Sequence, residues 1–336
     1  LVPVFLTVAI QIPMVQNWAK DKVTHYASER LGVDVQLQKV DLDIFQHIYL
    51  NKLSVASPDP DQDTLLTLGT FRIDLAAGLF SLLRQNLQID ELQIQNLRTT
   101  LITDSTGRNT INKLVDHWNN AQQSQEGTPG GKPKPFDLSI NSIRCKECLV
   151  ILQNKYNFSE QAFHFPGLTL QAKSVDIAEN RFHFSSIRAD EPLIRIRKFG
   201  TGPDVVETET SVTGMPDSLP PAPLFIFDHV LLNGGHFKMD DERRASQYGP
   251  GMDYRHIDVT DIDIDANDLH IQDLNFSGRL NQLAGQSDDF VIQKLSCPEV
   301  RVTSTETELL GFKLQTSRSS IQDTLRLHYQ EYPDWQ

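Results

Sequence analysis

The side chains that could do chemistry fall in three places. Asp258, Asp261, Asp263, Asp265 and Asp268 form a ladder of carboxylates, hard oxygen ligands of the kind that hold calcium. Val259, Ile262, Ile264 and Leu269 interleave them at strand spacing, and the glycine and terminal glutamate of a calcium loop are missing. The ladder therefore reads as the wet face of a strand. Cys145-Lys146-Glu147-Cys148 is a CxxC with no second pair and no nearby pair of histidines, so it lacks the four ligands of a structural zinc site. Cys145 and Cys297 instead occupy apolar slots of strand patterns. The ten histidines are scattered, as in Phe163-His164-Phe165 and Phe182-His183-Phe184, where they are polar members of alternating strands. No HExxH, GxSxG or Walker sequence occurs, and Gly234-Gly235 and Gly249-Pro250-Gly251 open no helix that could cradle a phosphate. The sequence predicts no enzyme, no cofactor and no metal centre.

The elements that carry these residues are strands of an unusual kind. Apolar residues recur at i, i+2, i+5 and i+7. The pattern reads Val35, Leu37, Val40, Leu42, then Ile48, Leu50, Leu53, Val55 and Leu87, Ile89, Leu92, Ile94. It returns at Leu138, Ile140, Ile143, Cys145, at Phe225, Phe227, Val230, Leu232 and at Ile257, Val259, Ile262, Ile264. Leu269, Ile271, Leu274, Phe276 and Leu295, Cys297, Val300, Val302 complete the set. A step of two keeps side chains on one face, and a step of three throws them to the other. One bulged residue restores the shared face and bends the strand, so the expectation is a curved sheet with one apolar side. A tight turn at the step would place the two pairs on different strands.

The chain has 336 residues and a net charge of −13, with 39% hydrophobic and 22% charged residues. Without a basic cluster it is no partner for nucleic acid. Three cysteines make no disulfide framework. The repeat starts at irregular intervals, unlike a solenoid. Aromatic content of 8% gives no girdles for an outer-membrane barrel.

Along the chain, residues 1–14 read as the end of a transmembrane anchor, carried by Val2, Val4, Phe5, Leu6, Val8, Ile10 and Ile12. A signal-peptide core and a buried segment are the competing readings. Residues 15–122 begin with an amphipathic helix from Val15 to Leu31, with Val15, Trp18, Ala19, Val23, Tyr26, Ala27 and Arg30-Leu31 on one stripe and Gly32 closing it. The helix could lie on a membrane or plug the end of a sheet. Strands follow, with short helices at Ala76–Arg84 and Asn109–Gln122, the latter capped by Asn109. Residues 123–135 are a Gln/Gly/Pro/Ser-rich linker, 136–199 strands, 200–223 a loop ending in Leu219-Pro220-Pro221-Ala222-Pro223, and 224–336 strands again. No alternation of strands with long helices occurs. The fold expected is mainly β, an elongated, twisted antiparallel sheet curled into an apolar groove, with a few short helices near the N-terminus.

The stretch RLGVDVQLQKVDLDIFQHIYLNKLSV (Arg30 to Val55) resembles the start of TamB and AsmA-like proteins. DTLLTLGTFRIDLAAGLFSLLRQNLQIDELQIQNLRTTL (Asp63 to Leu101) is similar to the same family's strand, short helix and I-x-x-L-x-I arrangement. TINKLVDHW (Thr110 to Trp118) sits where related sequences carry a short helix before a Pro-rich linker, and Gly251 to Asp268 resembles a later strand block of Bacteroidetes-type TamB proteins. The long C-terminal region of TamB, the translocation and assembly module subunit, does not appear in this sequence, which fits an N-terminal fragment. The resemblance implies an inner-membrane anchored, periplasmic protein of outer-membrane biogenesis. It implies phospholipid transport, or assembly of outer-membrane proteins with an Omp85-type barrel as partner.

The residues agree with that implication. An apolar sheet face must be covered, and three short helices are too few to cover it. Acyl chains are the remaining occupant, each buried methylene contributing ~0.8 kcal/mol. The groove-lining residues would be Val35, Leu37, Phe71, Ile73, Leu87, Ile89, Leu92, Ile94, Phe225, Phe227, Ile262, Ile264, Leu274, Phe276, Val300 and Val302. The chain is expected to be monomeric. The alternative is a structural or adhesive β-rich envelope protein that transfers no lipid.

Overall fold

The computed structural model describes residues 13–42, 47–59, 62–76, 86–105, 108–115, 137–176, 179–200, 222–245, 253–273 and 275–328. The anchor residues Val2 to Ile12, Leu274, the helix expected at Ala76–Arg84 beyond its first residue, and most of the two Pro-rich segments lie outside them.

Helix α1 (Pro13–Leu31) opens the described chain. Fourteen strands follow: β1 (Val35–Leu42), β2 (His47–Ala56), β3 (Thr64–Leu75), β4 (Asn86–Thr103), β5 (Asp137–Asn154), β6 (Ser159–Asp176) and β7 (Arg181–Asp190). Then come β8 (Leu193–Lys198), β9 (Leu224–Asp241), β10 (His256–Gln272), β11 (Asn275–Gln286), β12 (Val291–Val302), β13 (Glu306–Thr316) and β14 (Ser320–His328). The mainly β expectation holds. The strands belong to one hydrogen-bonded sheet, ordered β1 through β7 and then β9 through β14, with β8 beside β6 and β9. The chain divides into two compact units, residues 1–167 and 168–336, with the boundary inside β6.

The sheet is mainly antiparallel, as expected, but three pairings among the described residues are parallel. β5 runs parallel to β4, with Leu87 beside Leu138 and Thr103 beside Asn154. β7 and β8 both run parallel to β9. A parallel pair cannot be closed by a tight turn and needs a long return connection. Residues 104–136 and 199–223 provide it at these two joints. β7 and β8 line up end to end along β9, interrupted at Glu191, which takes a left-handed backbone (φ 51°), and the buried Pro192.

α1 ends as its sequence indicates. Gly32 adopts φ 69° and its N–H reaches the Ser28 carbonyl at 2.9 Å. The Val35 N–H then donates to Ser28 Oγ at 2.9 Å, tying the helix to the first strand. Only part of the expected apolar stripe is packed: Val15, Ala27 and Leu31 are half-buried, but Trp18, Val23 and Tyr26 are 62%, 51% and 55% exposed. Val15, Lys20, Thr24, Ala27, Ser28 and Leu31 are the half-buried side. No described helix is long and apolar enough to cross a membrane.

Residues 110–115 form a short helix after β4. Asn109 caps it as expected, its Oδ1 accepting the Asn112 N–H at 2.8 Å. Thr110, fully buried, receives the Ile102 N–H at 3.0 Å and donates to Asp59 Oδ2 at 2.8 Å. Lys113 Nζ bonds the other Asp59 oxygen and lies 3.1 Å from Asp104 Oδ2. Three separate stretches of chain are thereby pinned at one end of the first unit.

Candidate functional site

The apolar rhythm is the feature the fold repeats, and in the first unit it aligns from strand to strand. Leu37, Leu53, Leu68, Leu97 and Cys148 are successive cross-strand partners from β1 to β5. Val40, Leu50, Phe71, Ile94 and Cys145 form the next row. Between them runs a polar row: Lys39, Asn51, Thr70, Gln95 and Lys146. The parity step therefore falls at the same place on five strands and makes a continuous crease. Directly paired residues share a face. Along β1, burial reads buried at Val35, Leu37 and Val40 with Gln38 and Lys39 both exposed, so the two apolar rows lie on one side of the sheet.

On three of the five strands the step is made by a single left-handed residue. Lys52, Asn96 and Glu147 adopt φ of 51°, 55° and 53° at the crease in β2, β4 and β5. In the second unit Asp261 and Asp268 do so in β10, and Gly234 and Gly311 in β9 and β13. One such residue turns two consecutive side chains outward and returns the next to the apolar face. In the first unit neighbouring strands step together and their registers cross the crease without a shift, whereas at Asp261, Asp268 and Gly311 of the second unit one extra residue stands against a neighbouring strand, the bulge expected from the spacing. Away from the crease, at Asp90–Glu91, β4 carries one extra residue against β3, a true bulge.

Seven of the eight sequence patterns lie within one strand each. The pattern Leu269, Ile271, Leu274, Phe276 does not. Gln272 pairs with Asn275 and Ile271 with Phe276, so a hairpin turn through Asp273 (φ 54°) joins β10 to β11. Ile271 and Phe276 still meet side by side. Leu66, Leu68, Phe71, Ile73 in β3 follow the same spacing, and two further instances escaped the sequence reading: Phe163, Phe165, Leu168, Leu170 in β6 and Phe182, Phe184, Ile187, Ala189 in β7. Their signal is the same spacing, obscured by His164 and by Pro166-Gly167.

Of the residues expected to line the groove, Val35, Leu37 and Ile89 are buried. Phe71, Ile73, Leu92 and Ile94 are half-buried on the same apolar rows. The backbone of Leu87 continues them beside Leu138. In the second unit Phe225 stacks on Phe182 at 5.1 Å and Phe227 on Phe184 at 5.4 Å between ring centres. Phe225 pairs on its other side with Ile271, and Phe227 with Leu269. Ile264 lies between Leu232 and Leu283, Phe276 beside Val302, and Val300 beside Leu309. Ile262 faces Gly235, where an added Cβ would come within 2.6 Å of the Leu232 side chain. Towards β14 the face opens: Ile321, Leu325 and Leu327 are exposed.

The opposite face is polar and self-satisfied. Each carboxylate of the acidic ladder has its own partner: His236 and Lys238 on Asp258, Gln286 on Asp261, the Gly234 N–H on Asp263, His229 and Asn281 on Asp265, and Arg279 on Asp268. His183 Nε2 lies 2.7 Å from Asp228 Oδ1, with Lys173 on the second oxygen at 3.0 Å. These contacts hold the Asp228 carboxyl below its ordinary value. A cleft of about 630 Å³ follows the crease on this face, lined by Gln38, Lys39, Asn51, Lys52, Gly69, Thr70 and Asn96. Its walls are solvated polar groups, and no nucleophile with an adjacent base stands in it.

The arrangement presents an extended apolar surface only partly withdrawn from water. Among the described residues only sixteen aliphatic, aromatic and cysteine side chains, with Pro192, are buried, and most members of the apolar rows keep contact with solvent. The model of the AsmA family matches residues 3–300. No curated protein and no solved structure matches the chain.

Proposed function

The chain belongs to the AsmA family, and from that premise we propose that its apolar sheet face carries phospholipid acyl chains. AsmA-family proteins are membrane-associated envelope proteins linked to outer-membrane biogenesis and lipid transport. The observation that carries the reading is the pair of apolar rows crossing β1 to β5 with side chains left half-buried. A protein core would bury them; a removable apolar occupant need not. Headgroups stay in water at the rim while tails lie on the rows, and no residue does chemistry. Within the family we read the chain as TamB-like and periplasmic, anchored in the inner membrane through residues 1–14. Its partner in this reading is an Omp85-type outer-membrane barrel.

The test is native mass spectrometry and lipid extraction on the purified full chain. Co-purifying phospholipid is expected. Ile94→Arg and Phe227→Arg should lower bound lipid several-fold while circular dichroism keeps the strand signal. Gln93→Arg, one position away and facing the other side, should leave lipid unchanged. A lipid-free protein, or equal loss in all three variants, overturns the reading.

A further inference from the structure

Helix α1 has an outer side that the sheet does not use. Its half-buried side packs against β1, and the Val35 N–H bond to Ser28 Oγ ties its last turn there. The outer side carries Met14, Trp18 and Tyr26, flanked by Val23, all more than half exposed. Met14, Trp18, Lys22 and Tyr26 succeed one another at steps of four, which keeps them in one slowly turning row. Large apolar side chains grouped in this way mark a surface made for a partner. Three observations point to lipid as that partner. The chain leading into the helix, residues 1–12, is dominated by Val, Leu, Ile and Phe, and no charged side chain precedes Lys20. Tryptophan and tyrosine are the residues that gather at a membrane–water boundary, with an apolar ring and a polar tip. Asp21, Lys22, His25 and Glu29 are exposed among them, a mixture that a headgroup layer solvates and that hydrocarbon rejects. Arg30 lies over the Tyr26 ring at 5.3 Å, a second cation beside Lys22 that suits anionic headgroups.

We propose that α1 lies flat along the surface of a phospholipid bilayer, with Met14, Trp18 and Tyr26 seated at headgroup level and its other side holding β1. The inference rests on the reading of residues 1–14 as a membrane anchor and adds an orientation to it. From Trp18 to Tyr26 the helix advances roughly 12 Å at 1.5 Å per residue. A helix standing out from the bilayer would carry Tyr26 that much farther from it than Trp18; a flat one keeps both at one depth. Lying flat, α1 holds the β1 edge of the first unit beside the bilayer surface. The two apolar rows, which start at Leu37 and Val40 of β1, then begin next to the lipid they are proposed to carry.

The test uses the full chain reconstituted into vesicles of phosphatidylcholine and phosphatidylglycerol. Trp118→Phe with Trp335→Phe leaves Trp18 as the sole tryptophan. A second protein adds Trp18→Phe and Tyr26→Trp, moving the probe two turns along the helix. Circular dichroism checks that both keep the strand signal. Nitroxide-labelled phospholipid, marked either near the headgroup or near the end of the acyl chain, then reports depth. Both proteins are expected to float with the vesicles and to be quenched several-fold more by the shallow label than by the deep one. Quenching at position 18 but not at 26 means an upright helix and overturns the proposal. Quenching at neither, in protein that floats, overturns it too: α1 then faces water or another copy, and the anchor reading alone survives. Protein that does not float removes the anchor reading and this proposal with it.

Discussion

A residue forced into the left-handed region carries a steric cost of roughly 1–2 kcal/mol unless it is glycine. Asn96, Asp261 and Asp268 are the residue types that tolerate it best, and Gly234 and Gly311 do so freely. Lys52 and Glu147 have no such excuse, and they are held there by the apolar rows on both sides. Lys52→Val, β-branched at φ 51°, should destabilise by about 2 kcal/mol in urea unfolding. Lys52→Gly should match or slightly exceed the parent, its relief of strain offset in part by a looser unfolded chain. The spacing of the apolar residues was legible in the sequence. The left-handed residue was not, because Lys52 at i+4 of its pattern and Glu147 just past the end of its own look like ordinary wet-face residues. A second residue-scale prediction concerns His256, whose Nδ1 lies 2.9 Å from Asp253 and Nε2 3.4 Å from Asp240. The hydrogen bond to Asp253, chiefly, raises its pKa above 6.5. A raised folded-state value means the contribution is full below about pH 6.5 and fades as pH climbs through the folded value. The stability difference between the parent and His256→Gln, followed against pH, should shrink in that direction.

Elements join here by two kinds of connection, and their lengths were the clue to the parallel joints. Hairpins link β5 to β6 and β10 to β11, while residues 104–136 and 199–223 precede the strands that run parallel to an earlier neighbour. Read as mere linkers, those Gly- and Pro-rich stretches hid the reversal of direction. Asn109 and the short helix behind it were legible because capping is local. Their purpose was not, since Asp59, Ile102 and Thr110 are brought together only by the fold. Thr110→Val keeps the shape and removes the hydroxyl, leaving one Asp59 oxygen and the Ile102 N–H without that partner. An unmet buried polar group costs about 1–3 kcal/mol. A lowered midpoint in thermal unfolding is expected, with faster hydrogen exchange at Ile102 and its neighbours in β4. Lys113→Met should act in the same direction, because it strips the cation from a carboxylate that is 6% exposed.

Across the molecule, the balance between apolar face and available cover decides the behaviour. The sequence pattern showed that such a face exists, because period-two spacing survives any register. It could not show that the steps align into a crease, since alignment depends on pairing between distant residues such as Leu37 and Leu53 or Ile94 and Cys145. Burial differs within each unit: in the first, Leu37, Val40, Cys145 and Cys148 of the rows are buried, and in the second Ile321 and Leu327 of β14 are 48% and 45% exposed. A net charge of −13 keeps such a surface in solution through mutual repulsion, yet leaves its apolar side in need of a partner. If the face carries lipid as proposed, removing that lipid should expose a binding surface without unfolding the strands. The delipidated protein is expected to raise the fluorescence of an apolar dye several-fold over the lipid-loaded form, with circular dichroism unchanged. Added phospholipid should reverse the rise, whereas a soluble headgroup without tails should not. If dye binding instead tracks a loss of strand signal, the exposed surface is unfolded core and not a preformed face.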